Sequence, residues 1–154
     1  RGKLVTENYT YVGEWSNGKP NGTGELTFTD GTSYAGQILN GQPHGRGVFK
    51  RADGYEYEGG FVESQYEGHG EARWPNGSSY KGGFAAGLFD GTGEFKWPDG
   101  RLYKGGYCNG AKHGEGVVHM PDGAIFEATW EHGKIKGSGV LSKNGEVLKT
   151  TRAK

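Results

Sequence analysis

Large and small side chains alternate along Tyr11–Trp15 (YVGEW), and a second alternating run, Gly22–Phe28 (GTGELTF), follows after the polar stretch SNGKPN. Alternation with period 2 marks a strand with two unlike faces. The same order of runs returns along the chain. Tyr11, Tyr34, Tyr57, Tyr80 and Tyr103 are 23 residues apart, and Phe126 stands 23 beyond the last. Two residues after each aromatic come Gly13, Gly36, Gly59, Gly82 and Gly105, with Ala128 in the sixth. Two further on is a large apolar residue: Trp15, Ile38, Phe61, Phe84, Tyr107, Trp130. A G-x-G pair, such as Gly22/Gly24 or Gly91/Gly93, opens the second run of every repeat, and Asp-Gly or Asn-Gly pairs such as Asp30-Gly31 and Asn76-Gly77 close it. Such pairs accept the positive φ of hairpin turns.

Each repeat therefore predicts one β-hairpin. Nothing between the runs is long enough for a crossover helix, so consecutive strands pair antiparallel. The predicted fold is all-β: an elongated single-layer antiparallel meander of about six stacked 23-residue hairpins, or about twelve strands. One array spans 1–154, with a partial repeat at 1–10, repeats starting at 11, 34, 57, 80, 103 and 126, and a terminal cap from about 137 to 154. Tyr, Gly and the large apolar residue of the first strand share a face, as do the two glycines, Leu26 and Phe28 of the second. Rings of one strand can then lie over glycines of the next. The other face, with Glu14, Lys81 and Lys104, is solvated.

Composition narrows the function. Glycine supplies 32 of the 154 residues, against an average usage of roughly 7%. Lys+Arg and Asp+Glu are both 18, so no net charge draws the chain to nucleic acid or to an anionic surface. A single cysteine, Cys108, allows no internal disulfide, which favours a reducing, cytoplasmic setting. No apolar run reaches the roughly 18 residues of a membrane helix. Arg1 in place of Met reads as a piece of a longer chain.

The pattern Y-x-G-x-W-x-N-G-x-x-x-G-x-G-x-x-x-x-x-D-G, carried by Tyr11–Gly31, resembles the MORN repeat (membrane occupation and recognition nexus). The likeness runs from Gly2 to about Leu148, and the chain looks like the C-terminal part of a stand-alone array, most like those of protist cytoskeletal scaffolds. The resemblance implies a non-catalytic scaffold that self-associates and binds cytoskeletal or membrane-associated proteins, placing it at the cytoskeleton or the membrane periphery. Two alternatives stand beside it: a phospholipid-surface module and the regulatory repeat region of a larger enzyme. Anionic lipid usually needs roughly four to eight clustered Lys/Arg. The best local group, Lys143, Lys149, Arg152 and Lys154, is interrupted by Glu146.

Five features compete as sites. A G-x-G that opens a strand is no phosphate cradle, which requires a helix N-terminus. Glu14, Glu25, Glu71 and Glu94 alternate with apolar residues along open strands, which suits solvent better than acid–base work. The ladder of Tyr34, Tyr57, Tyr80, Tyr103, Phe61 and Phe84, joined by Trp74 and Trp97, is core packing first, and part of it is expected to line a groove for a partner helix or peptide. Cys108, His113 and His132 sit in matching loops one repeat apart. They could hold zinc with a fourth ligand from water or a partner chain, although surface residues without a role are the plainer reading and no cofactor is required. Finally, Trp130, Ile135, Val140, Leu141 and Leu148 keep an apolar surface on the last repeat, where a polar one is usual, so a homodimer through the C-terminal repeats is expected.

Overall fold

The computed structural model describes residues 2–152. The ends of the expected array and cap, Arg1, Ala153 and Lys154, lie outside the described residues. None of those described is helical. The chain divides into two compact units, Arg1–Pro75 and Asn76–Lys154. The first holds β1 (Gly2–Val5), β2 (Tyr9–Ser16), β3 (Lys19–Phe28), β4 (Ser33–Leu39), β5 (Gln42–Lys50), β6 (Glu56–Val62) and β7 (Gln65–Arg73). The second holds β8 (Ser79–Ala85), β9 (Leu88–Lys96), β10 (Leu102–Cys108), β11 (Ala111–His119), β12 (Ile125–Glu131), β13 (Lys134–Lys143) and β14 (Glu146–Arg152). Within each unit every strand pairs antiparallel with the next in sequence, so both are meanders. Among the described residues fourteen strands replace the expected twelve, because Gly2–Val5 adds one at the start and Glu146–Arg152, in the stretch expected as a cap, continues the meander as β14.

The two kinds of turn differ from the sequence reading. The stretch SNGKPN is not a six-residue loop. β3 begins at Lys19, and only Asn17 and Gly18 turn the chain, at φ 55° and 75°. Two successive left-handed residues make a type I′ turn, whose twist matches that of the strands. The same pair recurs at Asn40-Gly41, Ala86-Gly87, Asn109-Gly110, His132-Gly133 and Asn144-Gly145, and Glu63-Ser64 achieves it without glycine. At the other end of the hairpin, in the Asp-Gly turns, only the glycine is left-handed, as at Gly31 with φ 92°. The Phe28 amide donates to Thr32 O (2.8 Å), and the Gly31 amide donates back to Phe28 O (3.1 Å). Asp30 Oδ1 accepts the Thr32 amide at 2.9 Å, and Asp53, Asn76, Asp99 and Asp122 do the same two residues on. The acidic residue is there as an Asx acceptor.

Starting β3 early forces a bulge. Gly13 lies opposite Gly24 and Trp15 opposite Pro20, so Asn21, Gly22 and Thr23 face Glu14 alone. The irregularity recurs at the same place in every later hairpin of this period. It explains the two glycines of G-x-G separately. The first, Gly22, sits in the bulge at φ 101°, a conformation closed to most side chains. The second, Gly24, lies beneath the Tyr11 ring, where a Cβ would overlap Cε1, Cζ and the hydroxyl. Glu14 Oε1 accepts the Thr23 amide of the bulge at 2.6 Å, and Gln37 Oε1 serves Arg46 likewise at 2.6 Å. In the next three repeats this position is Gly60, Gly83 or Gly106.

Candidate functional site

One face of each unit is a paved aromatic surface, and its lowest course is the tyrosine of the period. Tyr11, Tyr57, Tyr80 and Tyr103 are 0% exposed and Tyr34 is 2%. A buried phenol needs a hydrogen-bond partner. Each finds it three residues on, in the backbone carbonyl at the bulge. Tyr11 donates to Glu14 O (2.7 Å), Tyr34 to Gln37 O (2.7 Å), Tyr57 to Gly60 O (2.8 Å), Tyr80 to Gly83 O (2.8 Å) and Tyr103 to Gly106 O (3.0 Å). Burial disfavours the phenolate and pushes Tyr34, Tyr57, Tyr80 and Tyr103 up to about 12.

A second course lies on the first. In unit one the Tyr66 ring stacks on Tyr57 at 3.7 Å and 12°, with Phe61 edge-on to both at 5.1 and 5.6 Å. Tyr55 meets Trp74 at 5.6 Å. In unit two Phe89 stacks on Tyr80 at 3.8 Å and 8°, while Phe84 and Tyr107 stand edge-on to Tyr80 at 5.1 and 5.4 Å. Phe95 and Trp97 continue the surface 5.0 Å apart. The equivalent of Tyr66 and Phe89 in the following repeat is Lys112. Its ammonium sits 5.2, 5.3 and 5.1 Å from the ring centres of Trp97, Tyr103 and Trp130. Burial first, and the Arg101 charge second, hold that ammonium below the usual lysine range.

The expected groove residues divide in two. Phe61 and Phe84, at 3% and 4% exposed, join the tyrosines in the core, so these six side chains support the surface from below. Trp74 and Trp97 remain half-buried and do reach solvent, as do Tyr66, Phe89 and Phe95, which the sequence reading missed. The signal for Tyr66 and Phe89 was present: both fall nine residues after the repeat tyrosine, on the part of the second strand mistaken for loop.

The candidate metal ligands come only partly together. His113 and His132 approach to 6.3 Å between ring centres, and Cys108 is exposed. Among the described residues no three His, Cys, Asp or Glu side chains are placed to hold a metal ion. His132 instead occupies the first position of a type I′ turn, at φ 50°, where four other hairpins use Asn. Of the apolar residues in the last repeat, Trp130, Ile135, Val140 and Leu141 are half-buried. Leu148 is 56% exposed and its neighbour Val147 61%, both on β14.

This architecture has a counterpart among solved structures. The TCP domain of SAS-4 (dCPAP) from Drosophila melanogaster, determined in complex with a proline-rich motif of Ana2, aligns over 99% of this chain and 90% of its own, with TM-score 0.54 and 12% identity. At that identity the likeness is one of fold. The wild-type TCP10 domain of Danio rerio CPAP aligns over 99% of this chain and 100% of its own, at 16% identity and TM-score 0.27. No curated protein matches the chain. Residues 11–33, 34–54, 57–79, 80–100, 103–125 and 126–147 each match the MORN repeat model, copy after copy in the register set by the tyrosines, and the chain belongs to the MORN-repeat family.

Proposed function

We propose that the chain is a non-catalytic scaffold whose aromatic face binds protein segments within a cytoskeletal or membrane-associated assembly. The observation that carries this reading is the half-covered upper course of that face. Tyr66 in unit one and Phe89 in unit two rest on buried tyrosines, Phe95 and Trp97 continue the surface beside Phe89, and all four are half-buried with part of each ring open to solvent. Apolar rings left accessible on a rigid floor are what a partner's apolar side chains fill. That the Drosophila SAS-4 domain, alike in fold, holds a proline-rich segment of another protein favours a peptide as the occupant. A photo-crosslinking residue at Phe95, on the aromatic face, and another at Glu94, on the opposite face, test the reading in the source cells. Protein adducts are expected from position 95 and not from 94. Equal yields, or lipid adducts from 95, would overturn it.

Within the same reading, two copies join through β14. Among the described residues this strand pairs with β13 alone, and its other edge lies beside exposed Val147 and Leu148. Light scattering should give a dimer mass for the intact chain and a monomer mass after Val147→Lys and Leu148→Lys. A monomer at the outset would remove this part of the reading.

A further inference from the structure

Lys112 is out of place. The position it occupies is filled by Pro20, Pro43, Tyr66, Phe89 and Ile135 in the other repeats, all apolar or aromatic. Its ammonium is ringed by Trp97, Tyr103 and Trp130 at 5.1 to 5.3 Å, within cation–π range. Among the described residues it has no ion pair, whereas Arg101, over the same Trp97 ring, is held by Asp99 at 2.8 Å. Its carbonyl, by contrast, is tied into the fold, accepting the Gly133 amide at 3.0 Å. A half-buried cation without a counter-charge is costly, and ring faces offset that cost only in part. A partner carboxylate would supply what is missing.

Lys112 also lines a cavity. A recess of about 340 Å³ opens beside it, walled by Phe89, Phe95, Trp97, Tyr107 and Ala111. Charge points the same way on a larger scale. Unit two carries 11 Lys and Arg against 8 Asp and Glu, while unit one carries 7 against 10. An acidic segment is therefore drawn to the unit that holds the recess.

We propose that this recess is a specificity pocket for a partner segment in which an Asp or Glu is flanked by apolar residues, the carboxylate pairing with Lys112 and the apolar neighbours lying on Phe89, Phe95 and Trp97. The inference rests on the scaffold reading and adds the chemical class of the ligand. Binding lowers the cost of the buried cation, so the pocket selects for charge where the rest of the face selects only for apolar area.

The test uses the full chain with lysine side chains labelled for NMR and two probes, acetyl-Leu-Glu-Phe-amide and acetyl-Leu-Gln-Phe-amide. The Glu probe should shift the Lys112 signal and bind about tenfold more tightly than the Gln probe, the step that ~1.4 kcal/mol gives. Lys112→Met should abolish that preference, and Lys112→Arg should keep it. Lys112→Met should also melt at or above the wild type, because it completes the apolar row. Equal binding of the two probes would overturn the proposal, as would a preference that survives in Lys112→Met or a lower melting temperature for that variant. So would tighter binding of inorganic phosphate or of phosphatidylserine vesicles at Lys112, which would make the pocket an anion or lipid site. Loss of the Glu preference with crosslinking at position 95 intact removes the pocket alone. Loss of both removes the scaffold reading as well.

Discussion

Gly93→Ala places the smallest possible side chain under the Tyr80 ring. The added Cβ would overlap the tyrosine hydroxyl, Cε1 and Cζ, well inside the ordinary contact range. The ring has little room to give. Phe89 is stacked on it at 3.8 Å, and its hydroxyl is bonded to Gly83 O at 2.8 Å. Overpacking of this kind costs about 1–3 kcal/mol. Lifting the ring also loosens the hydroxyl bond, adding about 1 kcal/mol. Against this, alanine in a strand gains roughly 0.5–1 kcal/mol over glycine. The net expectation is a destabilisation of about 1–3.5 kcal/mol, centred near 2. Gly91→Ala is the control for backbone strain: it lies two residues away at φ 85°, with nothing within 4 Å of the added atom. It should cost only about 1 kcal/mol. Urea unfolding followed by tryptophan fluorescence, with hydrogen exchange of the β8 and β9 amides as a local readout, measures both. Introducing Gly93→Ala into a Tyr80→Leu background should show a coupling of about 1 kcal/mol or more in size, on the order expected of contacting residues. If Gly93→Ala proves no worse than Gly91→Ala, or if its cost is unchanged in the Tyr80→Leu background, the ring-over-glycine argument is wrong.

Tyr80→Phe keeps the packing and removes only the hydroxyl donor to Gly83 O, so it should cost about 1–2 kcal/mol in the same urea assay; an unchanged midpoint would mean the carbonyl is satisfied without it. Alkaline unfolding should follow the buried phenols. Tyr34, Tyr57, Tyr80 and Tyr103 are raised to about 12 in the folded chain against a usual value of about 10, so the fold binds more protons over that interval. Their contribution to stability is fully present below about pH 10 and lost as pH rises through about 12. Melts run alongside tyrosinate absorbance check this, and titration of every tyrosine near pH 10 with the fold intact would refute it. Trp130→Phe should melt at or above the wild type, because the Trp130 indole N–H is buried without an acceptor; a clear loss would show that the indole's extra area outweighs its orphaned donor.

What the sequence disclosed depended on whether a residue's reason lay within its own period. The facing of Tyr11 on Gly24 was legible, because only one register puts the aromatics and glycines of successive strands on a common face. The strand limits were not. Lys19, Pro20 and Asn21 have poor strand propensity, and their strand exists only because Trp15 pairs with Pro20 across the hairpin. Glycine punctuation alone could not separate a bulge from a turn at Gly22. The preference for Tyr over Phe at the period position was equally hidden, since the acceptor is a backbone carbonyl freed by that bulge. Lys112, too, reads as a loop residue until β11 is seen to begin at Ala111. The metal cluster was the opposite case. The pairing of β11 with β12 brought two histidines near each other, and the exposed Cys108 did not join them as a third ligand.

The type I′ turns are bound to the hairpin behind them. Gly41 N donates to Pro20 O, Ser64 N to Pro43 O, Gly110 N to Phe89 O and Gly133 N to Lys112 O, at 3.0, 3.0, 2.8 and 3.0 Å, each reaching back the same number of residues. Four hairpins thus find their predecessors through an identical docking bond. For a gene this is a copying rule. Unequal crossover between two repeats adds or removes a whole period and leaves each new junction with the bond it had before. A deletion of any other length puts a wrong residue at the donor, moves a side chain under a tyrosine and is selected against at once. Arrays of this design should vary in evolution by integer steps, and a lineage in which they lengthened by part of a period would have had to invent a different junction.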